Sequence, residues 1–502
     1  MSVVRQQQDR AFINSTSSVC PTCYRVLPAQ IFGRDNKVYM RKFCREHGHT
    51  EVLIAGDEQW YRDTIALKYK PEFPYQYTAK VEKGCPSDCG VCGDHQQRCM
   101  IPVIEITDHC NMECPICFAH NQNSYNMTIP ELDVCLDTIQ KSEKNDVDML
   151  VMSGGEPTGH PKFFELMERV MQRGFKHVTI NTNGIRIAQD KAFVKKSKEL
   201  GLEFTMWIDG FRESTHILMR GMDTRLLKEQ ALAHLGEYEV NTNILCVVAK
   251  GVNEDEVGQV LELGMKLPFV RGVTYHTLVY TGKGGKHFPR DSRTVITTPD
   301  IMKLLSEQTG GRLAMADFTP IPAPHPLCET NTYMLMPEEG PPIPLPRIVP
   351  KERYFDLVVN QAILRPDDRL EDRLKEIIDH LYAGAVPTDE TRRALTTFRN
   401  LLQKCFPMEG AISADERERL CERAIKSVFI IPYMDEHNLD LTRLRSCVSM
   451  QATPDGKLIP NCAYYPLHRL QDPRYFPKGK LPMFTAAATA TTRSPGGCGS
   501  GS

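Results

Sequence analysis

The chain lacks an excess of charge of either sign: among its 502 residues, 61 lysines and arginines stand against 63 aspartates and glutamates, a net charge of −2. Without a long-range field, charge gives it no reason to gather nucleic acid or an anionic membrane, and no basic patch with interleaved aromatics argues for nucleic acid. It also lacks any apolar run of the roughly 18 residues that a bilayer-spanning helix needs. Its first residues, MSVVRQQQDRAFINS, are polar and hold no apolar core of a secretion signal, so a cytoplasmic location is expected. Core-forming residues are not lacking. At 41% hydrophobic and 25% charged, the composition is globular and excludes wholesale disorder.

What stands out is 18 cysteines, seven of them between Cys85 and Cys117, with Cys20, Cys23 and Cys44 upstream. A disulfide framework belongs mainly to small secreted domains, so close-set thiols in a chain of this length point to metal. Reduced thiolates are what zinc, iron and iron-sulfur clusters require, which agrees with a reducing compartment.

Composition divides the chain into regions. Residues 1–65 form a cysteine-bearing lobe, a connector YKPEFPYQY covers 69–77, and residues 78–100 carry a second cysteine cluster. From 101 to 310, apolar runs such as PVIEIT, DMLVMSGG, HVTINTNG and LEFTMWIDG alternate with amphipathic segments such as KFFELMERVMQRG and TRLLKEQALAHLG. Strands alternating with helices predict an α/β region with a parallel sheet and right-handed crossovers, here a partial barrel or a doubly wound sheet. Beyond Gly310 the prolines of PIPAPHPLC and MPEEGPPIPLPRIVP forbid regular helix or central strand. A separate α+β domain is expected over 311–482, with helices over 368–383 and 388–404. The low-complexity end, 483–502, is expected to be a disordered tail carrying Cys498.

The segment IEITDHCNMECPICFAH places Cys110, Cys114 and Cys117 directly after the first strand of the alternating region. Loops at the carboxyl ends of parallel strands are where such folds put their chemistry, and three thiolates can hold three corners of a [4Fe–4S] cube. With no fourth cysteine in the loop, one iron is left open to an outside ligand. The spacing CxxxCxxC, with Phe118 after the last cysteine, resembles the signature of the radical SAM superfamily. That resemblance implies a partial (β/α)6 barrel whose cluster binds S-adenosylmethionine through its amino and carboxylate groups. It further implies reductive cleavage of that cofactor to a 5′-deoxyadenosyl radical, which takes hydrogen from unactivated carbon and depends on an external low-potential electron donor.

MLVMSGGEPTGH resembles the same family's GGE motif, which assigns Gly154, Gly155 and Glu156 to cofactor binding: glycines admit close backbone approach, and an acid suits the methionine ammonium. Asn183 and Asp209 end the next two strands at the same rim and are candidates for contacting cofactor or substrate. Strand-to-helix turns satisfied by Asn-Gly and Asp-Gly are the plain alternative for both.

Three further constellations look metal-binding. Cys85, Cys89, Cys92 and Cys99 are four thiols whose uneven spacing favours an auxiliary [4Fe–4S] cluster over a zinc knuckle. Cys20 and Cys23 with Cys44 and His47 form two knuckles for a mononuclear zinc or rubredoxin-like iron, a staple for a lobe with little core of its own. Cys328, Cys447 and Cys462 are candidates for a second auxiliary cluster, to be completed by Cys405, Cys421 or a group other than cysteine. Cys135 and Cys246 are assigned to packing.

Taken together, CPTC, CREHG, CPSDCGVC, the barrel motif, DFTPIPAPHPLC and CVSMQATPDGKLIPNCAYY resemble one radical SAM subgroup, that of tetraether lipid synthases and class D radical SAM methylases. The chain departs from it at Ser446, where many relatives have a second cysteine, and at NCAYYPLH, where relatives tend to have FCAYN. The resemblance implies hydrogen abstraction from an sp3 carbon and carbon–carbon bond formation on a lipid alkyl chain, drawn into a cavity with transient membrane contact. Radical methylation of a pterin-like or other ring is the alternative. A non-catalytic iron-sulfur electron carrier is a third reading, hard to reconcile with an open-corner thiol trio beside GGE.

Overall fold

The computed structural model describes residues 11–68, 71–119, 121–144, 146–290, 295–321, 323–361, 364, 369–383 and 388–476. The expected tail at 483–502, with Cys498, lies outside them.

The N-terminal lobe is an antiparallel meander of β1 (Ala11–Val19), β2 (Val26–Arg34), β3 (Lys37–Cys44) and β4 (Gly48–Ala55). The β2–β3 turn is the two-residue Asp35-Asn36, both at positive φ, as the twist of a tight hairpin requires. Alternating Ala29, Ile31, Val38 and Met40 bury one face in a small core of the lobe.

The alternating region folds as read. β5 (Ile101–Thr107), β6 (Leu150–Gly154), β7 (Val178–Thr182), β8 (Glu203–Trp207), β9 (Thr242–Val248) and β10 (Val270–Thr277) pair in parallel and in chain order. Helices such as Ile129–Glu143, started by a Thr128–Glu131 capping box, cross between them. Period-two alternation sends Ile104, Met152, Ile180, Phe204, Ile244 and Tyr275 outward into the main core. The opposite set faces the lumen.

The region beyond Gly310 differs from the expected separate domain. After β11 (Thr319–Pro320), β12 (Thr330–Leu335) and β13 (Ile343–Pro344), strand β14 (Ile425–Ile431) pairs in parallel with β10, and β12 pairs antiparallel outside it. At the other edge β15 (Ser449–Thr453) pairs in parallel with β5 and forms a hairpin with β16 (Lys457–Pro460). The C-terminal chain therefore extends the barrel sheet at both edges, because uncovered strands leave backbone groups unpaired. The helices from Lys351 to Ala424 pack on β12, β13 and β14 around a second core, in which Leu374, Phe398 and Leu401 meet Tyr333, Ile343 and Phe429, and they cap the amino ends of the barrel strands. Among the described residues no helix is long and apolar enough to cross a membrane.

Candidate active site and metal centres

The loop after β5 is folded by its own polar side chains. The Asp108 carboxylate accepts from the backbone N–H of Gln122, Ser124 and Tyr125 at 3.0, 2.8 and 2.7 Å, and Thr107 Oγ1 donates to Asn126 at 2.7 Å. The amide of Cys110 donates to Asn123 Oδ1 at 2.9 Å, and that of Cys117 to the Cys114 carbonyl at 3.1 Å. This turns Cys110, Cys114 and Cys117 onto one cavity of about 180 Å³. Burial, reinforced by Glu156 and the neighbouring thiols, pushes the Cys110 thiol up to about 12, and burial raises Cys117 as well.

At the end of β6 the glycines are there for want of space. A Cβ on Gly154, whose φ is +142°, would lie 2.1 Å from the Thr107 carbonyl oxygen, and one on Gly155 2.3 Å from that of His109. Glu156, 4% exposed, is saturated by the protein: it accepts from Thr158 N and Oγ1 at 3.1 and 2.6 Å, Thr182 Oγ1 at 2.8 Å and Asn183 N at 2.7 Å. Burial raises its pKa against those bonds. It thus fixes the β7 loop that presents Asn183, whose side-chain amide donates to Asn111 Oδ1 at 2.7 Å. The Asn183 carboxamide oxygen meanwhile accepts from Ile185 N at 3.0 Å, as in the plain turn.

Asp209 is placed differently from the sequence reading. It is not part of the cavity lining; it grips Arg220 bidentately at 2.6 and 3.0 Å and accepts from Val247 N at 2.9 Å. Arg220 takes the place at the cavity that Asp209 was expected to hold, stacked over Trp207 at 4.7 Å. Burial would depress its guanidinium, but Asp209 and the Cys114 thiol outweigh that and keep it charged. Beside it Lys228 donates to the Asn183 carbonyl at 2.5 Å, and burial lowers its ammonium to about 8. Neither cation is visible in the sequence, since both sit on ordinary amphipathic helices.

The remaining walls are apolar and aromatic. Ile116, Leu245, Val247 and Leu278 form a cluster against Cys114. Tyr465 meets Phe118 edge to face at 4.5 Å and donates its hydroxyl to buried Glu105 at 3.1 Å. Tyr433 packs on His276, whose imidazole burial lowers to about 3. The donor set fits a [4Fe–4S] cluster held by three protein ligands: among the described residues no fourth cysteine lines this cavity.

In the N-terminal lobe the ligand atoms of Cys20, Cys23, Cys44 and His47 all lie within 4.8 Å of one another. His47 Nδ1 is 3.6 Å from Cys20 Sγ and 3.5 Å from Cys44 Sγ, a donor set that fits one tetrahedral ion. Cys85, Cys89 and Cys92 bound a small cavity with His95 and Arg445, whereas Cys99 is absent from that lining and is wholly buried in the main core. Cys99 stands two residues before β5, and the start of that strand draws it inward. Cys447 is half-buried; desolvation and the nearby Cys462 and Cys328 thiols raise its pKa, so the fold gathers these three. Arg443 Nε lies 3.5 Å from Cys328 Sγ. Cys405 and Cys421 pair with each other instead, Sγ to Sγ 3.9 Å, in the helical cap. Cys135 and Cys246 are fully buried in the main core.

Residues 104–264 match the radical SAM superfamily, and residues 12–56 match the HMPTM N-terminal zinc ribbon domain. Over 484 residues the chain is 28% identical to the 7,8-dihydro-6-hydroxymethylpterin dimethyltransferase of Methanocaldococcus jannaschii, covering 90% of this chain and 94% of that protein. It is 28% identical over 199 residues to the Fe-coproporphyrin III synthase of Methanosarcina barkeri, covering 38% of this chain and 47% of that protein. Among solved structures, Streptococcus suis SuiB bound to precursor peptide SuiA aligns with a TM-score of 0.35 at 15% identity, over 43% of this chain and 46% of that one.

Proposed function

The chain belongs to the radical SAM superfamily and is an enzyme, and from that premise we propose that it forms a carbon–carbon bond at an unactivated sp3 carbon of a lipid alkyl chain. When bound, the cluster and S-adenosylmethionine supply a 5′-deoxyadenosyl radical able to take hydrogen from such a carbon. The observation that carries the reading is the two-sided cavity. Glu156, Asn183, Lys228 and Arg220 make one side polar, suited to the amino-acid end of the cofactor, while Ile116, Leu245, Val247 and Leu278 make the other apolar beside Cys114. The apolar side holds a hydrocarbon and excludes water, which a carbon radical requires.

The second reading is methylation of a pterin-like ring, favoured by the name of the Methanocaldococcus relative and by the rings of Phe118, Trp207, Tyr433 and Tyr465 around the cavity. In either case an external low-potential donor supplies the electron. Cys85, Cys89 and Cys92, and Cys328, Cys447 and Cys462, are proposed as auxiliary cluster ligands. Zinc is proposed at Cys20, Cys23, Cys44 and His47, and such thiol chemistry suits a reducing, cytoplasmic compartment.

The test is anaerobic reconstitution with S-adenosylmethionine and dithionite, supplying either a dialkyl lipid deuterated along its chains or a labelled hydroxymethylpterin with a methylene donor. Deuterium moving from the chain into 5′-deoxyadenosine supports the lipid reading. New methyl groups on the pterin support the second. No 5′-deoxyadenosine from competent clusters overturns both.

A further inference from the structure

The lumen of a barrel is ordinarily filled by bulky branched side chains. Where this lumen opens into the candidate active site, three strands instead turn polar residues inward: Ser153 on β6, Asn181 on β7 and His276 on β10. All three line the cavity, and the partial exposure that each retains is to it. None of their side chains has a hydrogen-bond partner among the described residues. Glu156, at the same cavity, accepts four hydrogen bonds from the protein. The polar groups of Ser153, Asn181 and His276 are left to whatever the cavity holds.

His276 is also part of a continuous belt of rings. Its centroid lies 6.4 Å from that of Trp207 and 5.0 Å from that of Tyr433, Tyr433 is 6.4 Å from Phe118, and Phe118 is 4.5 Å from Tyr465. All five rings line the cavity. Such a belt suits a flat molecule, which meets rings by offset stacking or edge to face. Burial keeps the His276 imidazole neutral, with its pKa lowered to about 3, so it carries one N–H donor and one bare nitrogen acceptor. The Asn181 carboxamide likewise offers both a donor and an acceptor. A hydrocarbon laid against them would leave these groups dry and unpaired, whereas a polar edge would satisfy them.

We propose that His276 and Asn181 are specificity-determining residues that read the polar edge of the substrate, a flat uncharged heterocycle carrying an N–H donor beside a carbonyl or imine acceptor and held among the rings of the belt. This rests on the second reading above, modification of a ring, and names the side chains that hold that ring. Both touch the substrate away from the carbon that reacts.

The test measures binding of hydroxymethylpterin to the anaerobically reconstituted full-length protein by calorimetry with S-adenosylmethionine present, and follows methylation in parallel. His276→Phe keeps the ring of the belt and removes both nitrogens; Asn181→Leu keeps the bulk and removes the amide. Each is expected to weaken pterin binding at least fivefold, the share of one neutral hydrogen bond. His276→Gln, which retains a donor and an acceptor, should recover most of that loss. Naphthalene-2-methanol, a bicycle without the polar edge, should bind the native chain and His276→Phe alike. The dissociation constant of S-adenosylmethionine, read by equilibrium dialysis, should move less than about twofold. Pterin that is methylated by the native chain but bound equally well by whichever of His276→Phe and Asn181→Leu remains folded would overturn the proposal and leave the ring reading standing. Weakened S-adenosylmethionine binding would assign these side chains to the cofactor and overturn it as well. A native chain that neither binds nor methylates the pterin would remove the ring reading, and the proposal with it.

Discussion

Replacing Asp209 tests whether the charge at the active-site wall is held by one buried pair. Asp209 and the Arg220 side chain are 4% and 12% exposed, and two hydrogen bonds join them. Two unit charges ~4 Å apart attract by about 4 kcal/mol at an effective dielectric constant of ~20. Removing one partner of such a pair costs about 3–5 kcal/mol, because the other charge stays buried without compensation. Asp209→Ala is therefore expected to lose that much stability. Asp209→Ala combined with Arg220→Met should recover about 2 kcal/mol of it, retaining mainly the cost of the Val247 N–H that has lost its acceptor, about 1–3 kcal/mol. The assay is urea unfolding followed by tryptophan fluorescence, since Trp207, one of two tryptophans, lies under the guanidinium. A double variant no more stable than Asp209→Ala alone would refute the pairing argument.

Cys114→Ala should abolish 5′-deoxyadenosine formation and lower bound iron by about four per chain, the content of one [4Fe–4S] cluster; retained product would contradict the ligand assignment. Gly154→Ala, whose Cβ would meet the Thr107 carbonyl oxygen at 2.1 Å, should fold less stably and bind S-adenosylmethionine at least tenfold more weakly in equilibrium dialysis. Glu329 gives a pH signature. Its folded-state pKa of about 8 lies above the ordinary 4.5, so the native state holds a proton that the unfolded state releases, and stability falls as pH rises from about 4.5 to about 8. Glu329→Gln should flatten that slope in thermal melts across the range, and an unchanged slope would count against a neutral carboxyl at this position.

The parts of the site legible in the sequence are those encoded within a few residues. CxxxCxxC, GGE and the CPTC and CREH knuckles each bring their side chains together by local loop geometry, and the apolar alternation was enough to locate β5 to β10 as parallel strands, though not to fix their order. What escaped depends on distant pairing. Arg220 and Lys228 face the cavity because of where their helices dock, and helix periodicity says only which face is polar. Cys99 looked like a fourth ligand by spacing, yet the strand that follows it buries it elsewhere. Asp209 looked like a candidate contact for cofactor or substrate, whereas its carboxylate is engaged bidentately by Arg220, a partner eleven residues on that no local pattern marks. The region after Gly310 read as a separate domain because proline-rich loops interrupt it. The pairing of β14 with β10 and of β15 with β5 joins residues more than a hundred positions apart, which no local pattern records.

The β5–β15 pairing also carries a consequence for how the protein is made. β5 starts at Ile101, and the strand that covers its edge starts at Ser449. At ~5–20 residues per second a ribosome takes roughly 20–70 s to travel from one to the other. Throughout that interval the growing chain carries an open sheet edge directly beside Cys110, Cys114 and Cys117, a template for mispairing and a target for oxygen. A strand from near the C-terminal end thus seals the first strand of the barrel, and a chain truncated before Ser449 should aggregate even though every thiol of the radical SAM motif is already present.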